Sequence, residues 1–225
     1  MILSIETSTP ICSIALHDEG LLIAEQLYNL PKSHAILMPE IIKQLLENVK
    51  VDKKALKAIA VSNGPGSYTG LRIGAATAKG LCNGLGIPLV SISSLDIMIA
   101  EMRIFVGKST YLAPMIDARR MEVYTKLVDQ SGQEIKETQA VVLSPDLFSV
   151  YDQYPLMLMG DGAIKCQEYL THPAMTIVEG ISPKAQYMGI LALIKFENND
   201  FEDVSDFEPN YLKEFYTTPS KKETP

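Results

Sequence analysis

The sequence predicts an α/β protein built as two related mixed lobes. Three observations carry that prediction. Strand and helix patterns follow the order βββαβαβα through the first half, and much the same order returns after Lys108. The segment VSNGPGSYTGLRIGAATAKGLCNGLG, Val61 to Gly86, joins a strand to a helix through a glycine-rich turn. The chain has 225 residues, 47% of them hydrophobic, enough for one domain or two small ones.

Ile2 to Ile5 starts as a strand, Ser8-Thr9-Pro10 turns it, and Cys12 to Leu16 returns. After the turn signal Asp18-Glu19-Gly20, Leu21 to Leu27 supplies a third strand. In SHAILMPEIIKQLLENV, Met38, Ile41, Ile42, Leu45 and Val49 share one helical face. Pro39 marks either the start of the regular helix or a bend in its first turns. Ala58 to Val61 is a short strand, and a helix follows Ser67 or Thr69. Pro88 to Ile92 reads as a strand and Ser94 to Phe105 as a helix.

In the second half, Leu112 to Ile116, Glu122 to Val128 and Glu134 to Leu143 are strands. A short helix at Pro145 to Tyr151 precedes a strand at Pro155 to Met159 and a helix at Ala163 to Leu170. Thr176 to Val178 is a short strand. Ser182-Pro183 then opens a helix to about Asn198, with Ser182 as cap and Pro183 in the first position. The expected lobes are residues 1–107 and 108–215, with Phe207, Tyr211 and Phe215 as anchors and a flexible polar tail at 216–225.

The balance of 27 acidic and 20 basic residues gives a net charge of -7. A long basic groove is excluded, and any nucleic-acid contact is expected to be assisted by a partner. An anionic membrane is a poor partner for the same reason. Cys12, Cys82 and Cys166 are widely spaced and odd in number, so reduced, packed thiols are expected. No signal-peptide pattern opens the chain and no uninterrupted apolar stretch reaches membrane length, which points to the cytoplasm.

The glycine turn after the strand could present backbone N–H groups to an anion. It lacks the GK[ST] of a phosphate loop, however, and Gly64, Gly66 and Gly70 miss the GxGxxG spacing. A tight structural crossover is the ordinary reading. Beyond it, Gly70, Gly74, Ala78 and Cys82 lie on one helical face. Glycine inside a helix costs about 1 kcal/mol relative to alanine, so a close neighbour must compensate. That neighbour is either the lobe's own sheet or a partner subunit. In the second case Tyr68, Leu71, Arg72, Ala75 and Lys79 would complete the contact.

Reactive residues do not assemble into a familiar catalytic set. His17, His34 and His172 form no HExxH, and no GxSxG is present, so neither a catalytic nor a metal site is expected. Glu6, with Thr7 and Ser8, reads as a solvent-facing turn or, less plainly, a cleft mouth holding a water or cation. Asp117 and Asp161 each follow a strand, where they either flank a nucleotide or cap the next element. In DARRMEVY, an extended stretch would send Arg119 and Met121 one way and Arg120 and Glu122 the other. One arginine would then bridge Asp117 or Glu122 while the other meets a partner or phosphate.

With these motifs in view, the chain resembles the bacterial TsaB family, also called YeaZ. The likeness rests on ILSIETSTPICSIAL, SHAILMPEI, NGPGSYTGLRIGAATAKGLCNGLGIPLVSISSLD, IDARRMEVY, GDGA and PNYLK. The resemblance implies a two-lobed, actin-like ASKHA fold with duplicated RNase H-like lobes. It implies a non-catalytic scaffold of the tRNA threonylcarbamoyladenosine machinery, which modifies adenosine 37. Its partners would be a TsaD-like catalytic subunit and a TsaE-like ATPase, with a homodimer when alone. Pairing would use the helices near Pro39 to Val49 and Thr69 to Leu85, placing Met38, Ile41 and Leu45 with the residues above. At the two metal-binding histidines of the related catalytic subunit this chain carries Ser94 and Met98, which do not make a usual metal ligand set. No cofactor is then required by this chain; ATP or ADP with Mg belongs to the assembled complex, and tRNA is reached mainly through it. The rival reading is a nucleotide-binding hydrolase or small-molecule kinase using Glu6, Asp117, Arg119 and Asp161; a protease lacks any supporting constellation.

Overall fold

A computed structural model describes residues 1–29, 34–107 and 109–213, with residues 34–36 described by backbone alone. Phe215 and the expected tail at 216–225 lie outside the described residues.

Two five-stranded sheets form the molecule. The first contains β1 (Ile2–Glu6), β2 (Ile11–Asp18), β3 (Leu21–Asn29), β4 (Ala58–Gly64) and β5 (Leu89–Ser93), in the order β3-β2-β1-β4-β5. The second contains β6 (Tyr111–Asp117), β7 (Glu122–Val128), β8 (Glu134–Val142), β9 (Leu156–Met159) and β10 (Met175–Val178), in the order β10-β9-β6-β7-β8. Each sheet therefore reads third, second, first, fourth, fifth from its hairpin edge. The first three strands pair antiparallel and the last two join in parallel. This is a duplicated, two-lobed α/β arrangement, as the sequence predicts.

Helices distinguish the lobes. In the first, α1 (His34–Asn48) and α2 (Tyr68–Leu85) make full crossovers, and Pro39 lies inside α1. In the second, the helix expected at Pro145 to Tyr151 is only a 3-10 turn at Ser149–Tyr151. The helix expected at Ala163 to Leu170 is a single turn, α4 (Ala163–Cys166). Cys166 and Leu170 still reach the core of the second sheet, so their apolar spacing serves a turn that covers a small sheet face.

Strand alternation separates two layers on the first sheet. Leu3, Ile5, Ile14, Leu16, Ile59 and Val61 face α1 and α2. Ile2, Ala15, Ala58 and Ala60 face the other way, toward Ala185, Met188 and Ala192. Ala192 belongs to α5 (Gly189–Glu197), so the chain returns to the first sheet at its end. The helix expected from Ser182 begins later than the sequence suggested. Ala185–Met188 is 3-10, and Ser182 Oγ makes no hydrogen bond among the described residues instead of capping. The cause is close packing: a Cβ on Gly189 would lie 2.4 Å from both Gly20 O and the His17 ring.

The lobes share a core through α3 (Ser94–Met102), which passes into a 3-10 turn at Arg103–Phe105. Its Leu95, Met98, Ile99 and Met102 pack on Leu112, Ile116, Val128 and Met159 of the second sheet. Beside this contact the nearly buried Lys126 of β7 bonds Asp96 of α3 at 2.9 Å and Glu134 of β8 at 2.6 Å.

Candidate partner surface and interlobe cleft

Helix α2 starts at a true cap: Ser67 Oγ accepts from Gly70 N at 3.3 Å. It stops at Gly86, whose left-handed φ of 67° lets its N–H reach Cys82 O. The close approach foreseen for its small face is made within the chain. A Cβ on Gly70 would lie 2.0 Å from Thr7 O, and one on Gly74 would lie 2.4 Å from Thr7 Oγ1 and 3.5 Å from Val61 Cγ2. Of the two neighbours the sequence left open, the one at Gly70 and Gly74 is the chain itself. Leu71, Gly74, Ala75, Ala78 and Cys82, with Met38, Ile41 and Leu45 of α1, are buried in the monomer. Thr7, just after β1, fills the room that Gly70 and Gly74 leave, and, Leu71 apart, the remaining residues pack in the core of the first sheet.

The polar members of the same expected set stay nearer the surface, but they hold the C-terminal segment. Tyr68 stacks on Tyr211 with ring centroids 4.7 Å apart, and Arg72 Cζ stands 4.3 Å from the Tyr68 centroid. Lys79 Nζ donates to Ser205 O at 2.9 Å and Phe207 O at 3.2 Å. Asn210 N donates to Asn63 O at 2.7 Å, so the segment straps the start of α2.

A second glycine pair, missed in the sequence reading, lies on the outer face of α2. Gly80 and Gly84 are exposed, and a Cβ at either would meet nothing within 4 Å among the described residues. Beside them a groove of about 470 Å³ opens between α1 and α2, lined by Ile42, Leu46, Val51, Leu56, Leu81 and Leu85. The signal was present in KGLCNGLG, since both glycine pairs have the same spacing of four. Spacing alone does not say which stripe faces inward.

Across the molecule, the strand ends approach a cleft between the lobes. Glu6 is fully buried, correcting the solvent-facing turn expected there. Its Oε1 accepts from Ser8 N at 2.5 Å, while Oε2, Thr7 Oγ1 and Ser8 Oγ have no hydrogen-bond partner among the described residues. Burial pushes the carboxyl above its usual range, against the Ser8 N–H hydrogen bond that lowers it. The glycine turn offers fewer free donors than its sequence suggested. Ser67 N is bound to Ser8 O at 2.6 Å, and Gly70 N is taken by the cap.

The structure brings Asp117 and Asp161 together. Asp161 Oδ1 accepts from Asp117 N at 2.9 Å, so Asp161 fastens the neighbouring strand and does not cap α4. Asp117 pairs with Lys165 and accepts from Arg119 N at 2.6 Å. A cavity of about 210 Å³ lies between the lobes, with Thr9, Pro10, Ile116, Asp161 and Ser182 among its walls. Glu6 is not among those walls. The expected arginine bridges are absent among the described residues; lysines take their places, Lys165 on Asp117 and Lys213 on Glu122.

The other candidates serve packing. His17 bonds Ser4 Oγ and Gln186 O, each at 3.1 Å, joining the sheet to the C-terminal return. His172 bonds Tyr151 O at 3.3 Å. Ser94 and Met98 are buried in α3. Among the described residues no group of three or more His, Cys, Asp or Glu side chains is placed to hold a metal, and no helix is long and apolar enough to cross a membrane.

Comparison with known proteins places this architecture. A family model described as TsaD, tRNA N6-adenosine threonylcarbamoyltransferase, matches residues 28–211. A Bacillus subtilis protein named "tRNA threonylcarbamoyladenosine biosynthesis protein TsaB" is 36% identical over 219 residues, covering 94% of this chain and 93% of its own. The Escherichia coli protein of the same name is 34% identical over 220 residues, covering 94% of each chain. The solved structure of YeaZ from Pseudomonas aeruginosa superposes with a TM-score of 0.81 at 28% identity, over 94% of this chain and 99% of that one. With relatives of this identity spanning nearly the full length, the chain belongs to the TsaB (YeaZ) family.

Proposed function

We propose that this chain is a non-catalytic scaffold in tRNA threonylcarbamoyladenosine biosynthesis. It binds a TsaD-like catalytic subunit, works with a TsaE-like ATPase in the cytoplasm, and forms a homodimer when alone. The supporting observation is the outer face of α2. Gly80 and Gly84 each give up about 1 kcal/mol of helix stability relative to alanine, and no close contact among the described residues compensates them. A bare helical backbone beside an apolar groove suits the close approach of a partner helix. The contact surface is thus shifted outward from the one the sequence suggested: Gly80 and Gly84 replace Gly74 and Ala78, with Tyr68, Arg72 and Lys79 at its edge.

In this reading the chain itself requires no cofactor, and ATP or ADP with Mg serves the assembled complex.

The test is reconstitution of threonylcarbamoyl transfer to tRNA from purified components, with and without this chain. Transfer that proceeds equally well without it refutes the scaffold role. Replacing Gly84 with leucine should weaken association with the catalytic subunit while circular dichroism stays native, since a Cβ there meets nothing within 4 Å among the described residues. Unchanged association would move the interface elsewhere.

A further inference from the structure

The DARR motif, Asp117 to Arg120, plays no part in that surface. β6 ends at Asp117 and β7 begins at Glu122. Between them the chain reverses with Arg119 at φ 68° and Arg120 at φ 54°. Each left-handed L-residue costs roughly 1–2 kcal/mol, and asparagine or glycine tolerates the conformation better. The Arg119 side chain finds only a charge interaction with the nearby Tyr124 hydroxyl. Both residues are exposed, and among the described residues neither guanidinium forms an ion pair or hydrogen bond.

The surrounding acids are already matched. Asp117 pairs with Lys165, which also donates to Arg120 O at 2.9 Å. Glu122 pairs with Lys213, which donates to Ala118 O at 3.1 Å and sits 5.7 Å from the Tyr124 ring centroid. Asp161 is held by the Asp117 N–H. A braced turn therefore offers two uncompensated guanidinium groups, on a chain whose net charge is -7. Backbone strain of this kind collects at ligand clamps.

We propose that this turn is a phosphate-recognition corner that receives phosphodiester oxygens of an RNA backbone. The planar guanidinium fork matches phosphate in two hydrogen bonds at once. The corner lies at the carboxyl end of β6, the edge at which α/β sheets gather ligands. The adjoining cavity, about 210 Å³, is smaller than the roughly 300–1,000 Å³ of small-molecule sites. A polymer backbone lying across the corner fits better than a nucleotide enclosed beside it. The proposal rests on the tRNA-directed role above and names a direct RNA contact for this chain.

The experiment is fluorescence anisotropy of an unmodified tRNA transcript with the full-length chain alone, across a salt series from low ionic strength. The comparison is Arg119→Asn with Arg120→Asn, which keeps a left-handed turn acceptable. Expected are at least tenfold weaker binding and a slope of log affinity against log salt shallower by about 1.4–1.8, two phosphates' worth. Lysine at both positions should restore the slope but only part of the affinity. Because no partner is present, the result is independent of the reconstitution above. Failure of the wild-type chain to bind the transcript, or equal binding by the asparagine variant, overturns the proposal. So does loss of Mg-ATP binding, or of association with the catalytic subunit, while transcript binding stays unchanged.

Discussion

Alanine at Gly70 and alanine at Gly80 should move stability in opposite directions, although both replace a glycine of the same helix. At position 70 the new Cβ would stand 2.0 Å from Thr7 O, a backbone atom that cannot swing aside. Overpacking costs about 1–3 kcal/mol, and the first turn of α2 returns little helix propensity, so a loss near 3 kcal/mol is expected. At position 80 nothing among the described residues lies within 4 Å of the added Cβ, and alanine should add about 1 kcal/mol. For a chain of this length 1 kcal/mol moves Tm by roughly 2–4 °C, which separates the two variants by about 8–16 °C. Thermal and urea melts followed by far-ultraviolet circular dichroism measure this. Several protein concentrations are needed, because any self-association would make Tm rise with the logarithm of concentration. The reasoning is refuted if Gly70→Ala stays within about 0.5 kcal/mol of wild type. It is equally refuted if Gly80→Ala destabilises the dilute monomer.

Burial raises the Glu6 carboxyl above its ordinary value of 4.5, so the folded state holds that proton more firmly than the unfolded chain. Its contribution to stability should decline as pH rises from about 4.5 through the folded pKa, and Glu6→Gln should gain on wild type over that range in urea midpoints. Parallel pH profiles would contradict this. For Lys126, burial disfavours the ammonium, but Glu134 and Asp96 more than offset it and raise the pKa above 10.5. Its stabilisation is therefore complete below that value and lost as pH climbs past the folded pKa. Lys126→Met should lose about 2 kcal/mol near neutrality, between the exposed and buried limits for ion pairs, and an unchanged urea midpoint would rule this out. Burial pushes the Cys12 and Cys82 thiols up to about 11 and Cys166 to about 12. A thiol reagent at pH 8 should find none of them in the native chain and all three in denaturant; rapid native labelling would show the burial to be wrong.

The element order was legible because alternating apolar residues mark strands, and recurring face residues mark helices, without reference to anything distant. Leu3 and Ile5 against Ile2, or Met38 with Ile41 and Leu45, announce their layers locally. The second lobe's helices were harder. Cys166 and Leu170 are spaced for a helix, yet a single turn suffices to bring both to the core. The start of α5 was misplaced because its position answers to Gly189 against His17, a contact between residues far apart in sequence.

The candidate site divides in the same way. The sequence showed that one face of α2 is unusually bare and that Asp117-Ala118-Arg119-Arg120 sets two arginines beside a carboxylate. It did not show that Glu6 would be buried with one oxygen unmatched, or that lysines and not arginines would neutralise Asp117 and Glu122.

What the residues by themselves determined is the alternation of strands and helices, their duplication, and the presence of two glycine pairs on one helix. Only the tertiary structure decided which pair is covered. A missing Cβ records that something may come near, not what does. The direction of approach is set by Thr7, which follows a strand more than sixty residues earlier in the chain and reaches α2 only when β1 and β4 pair side by side.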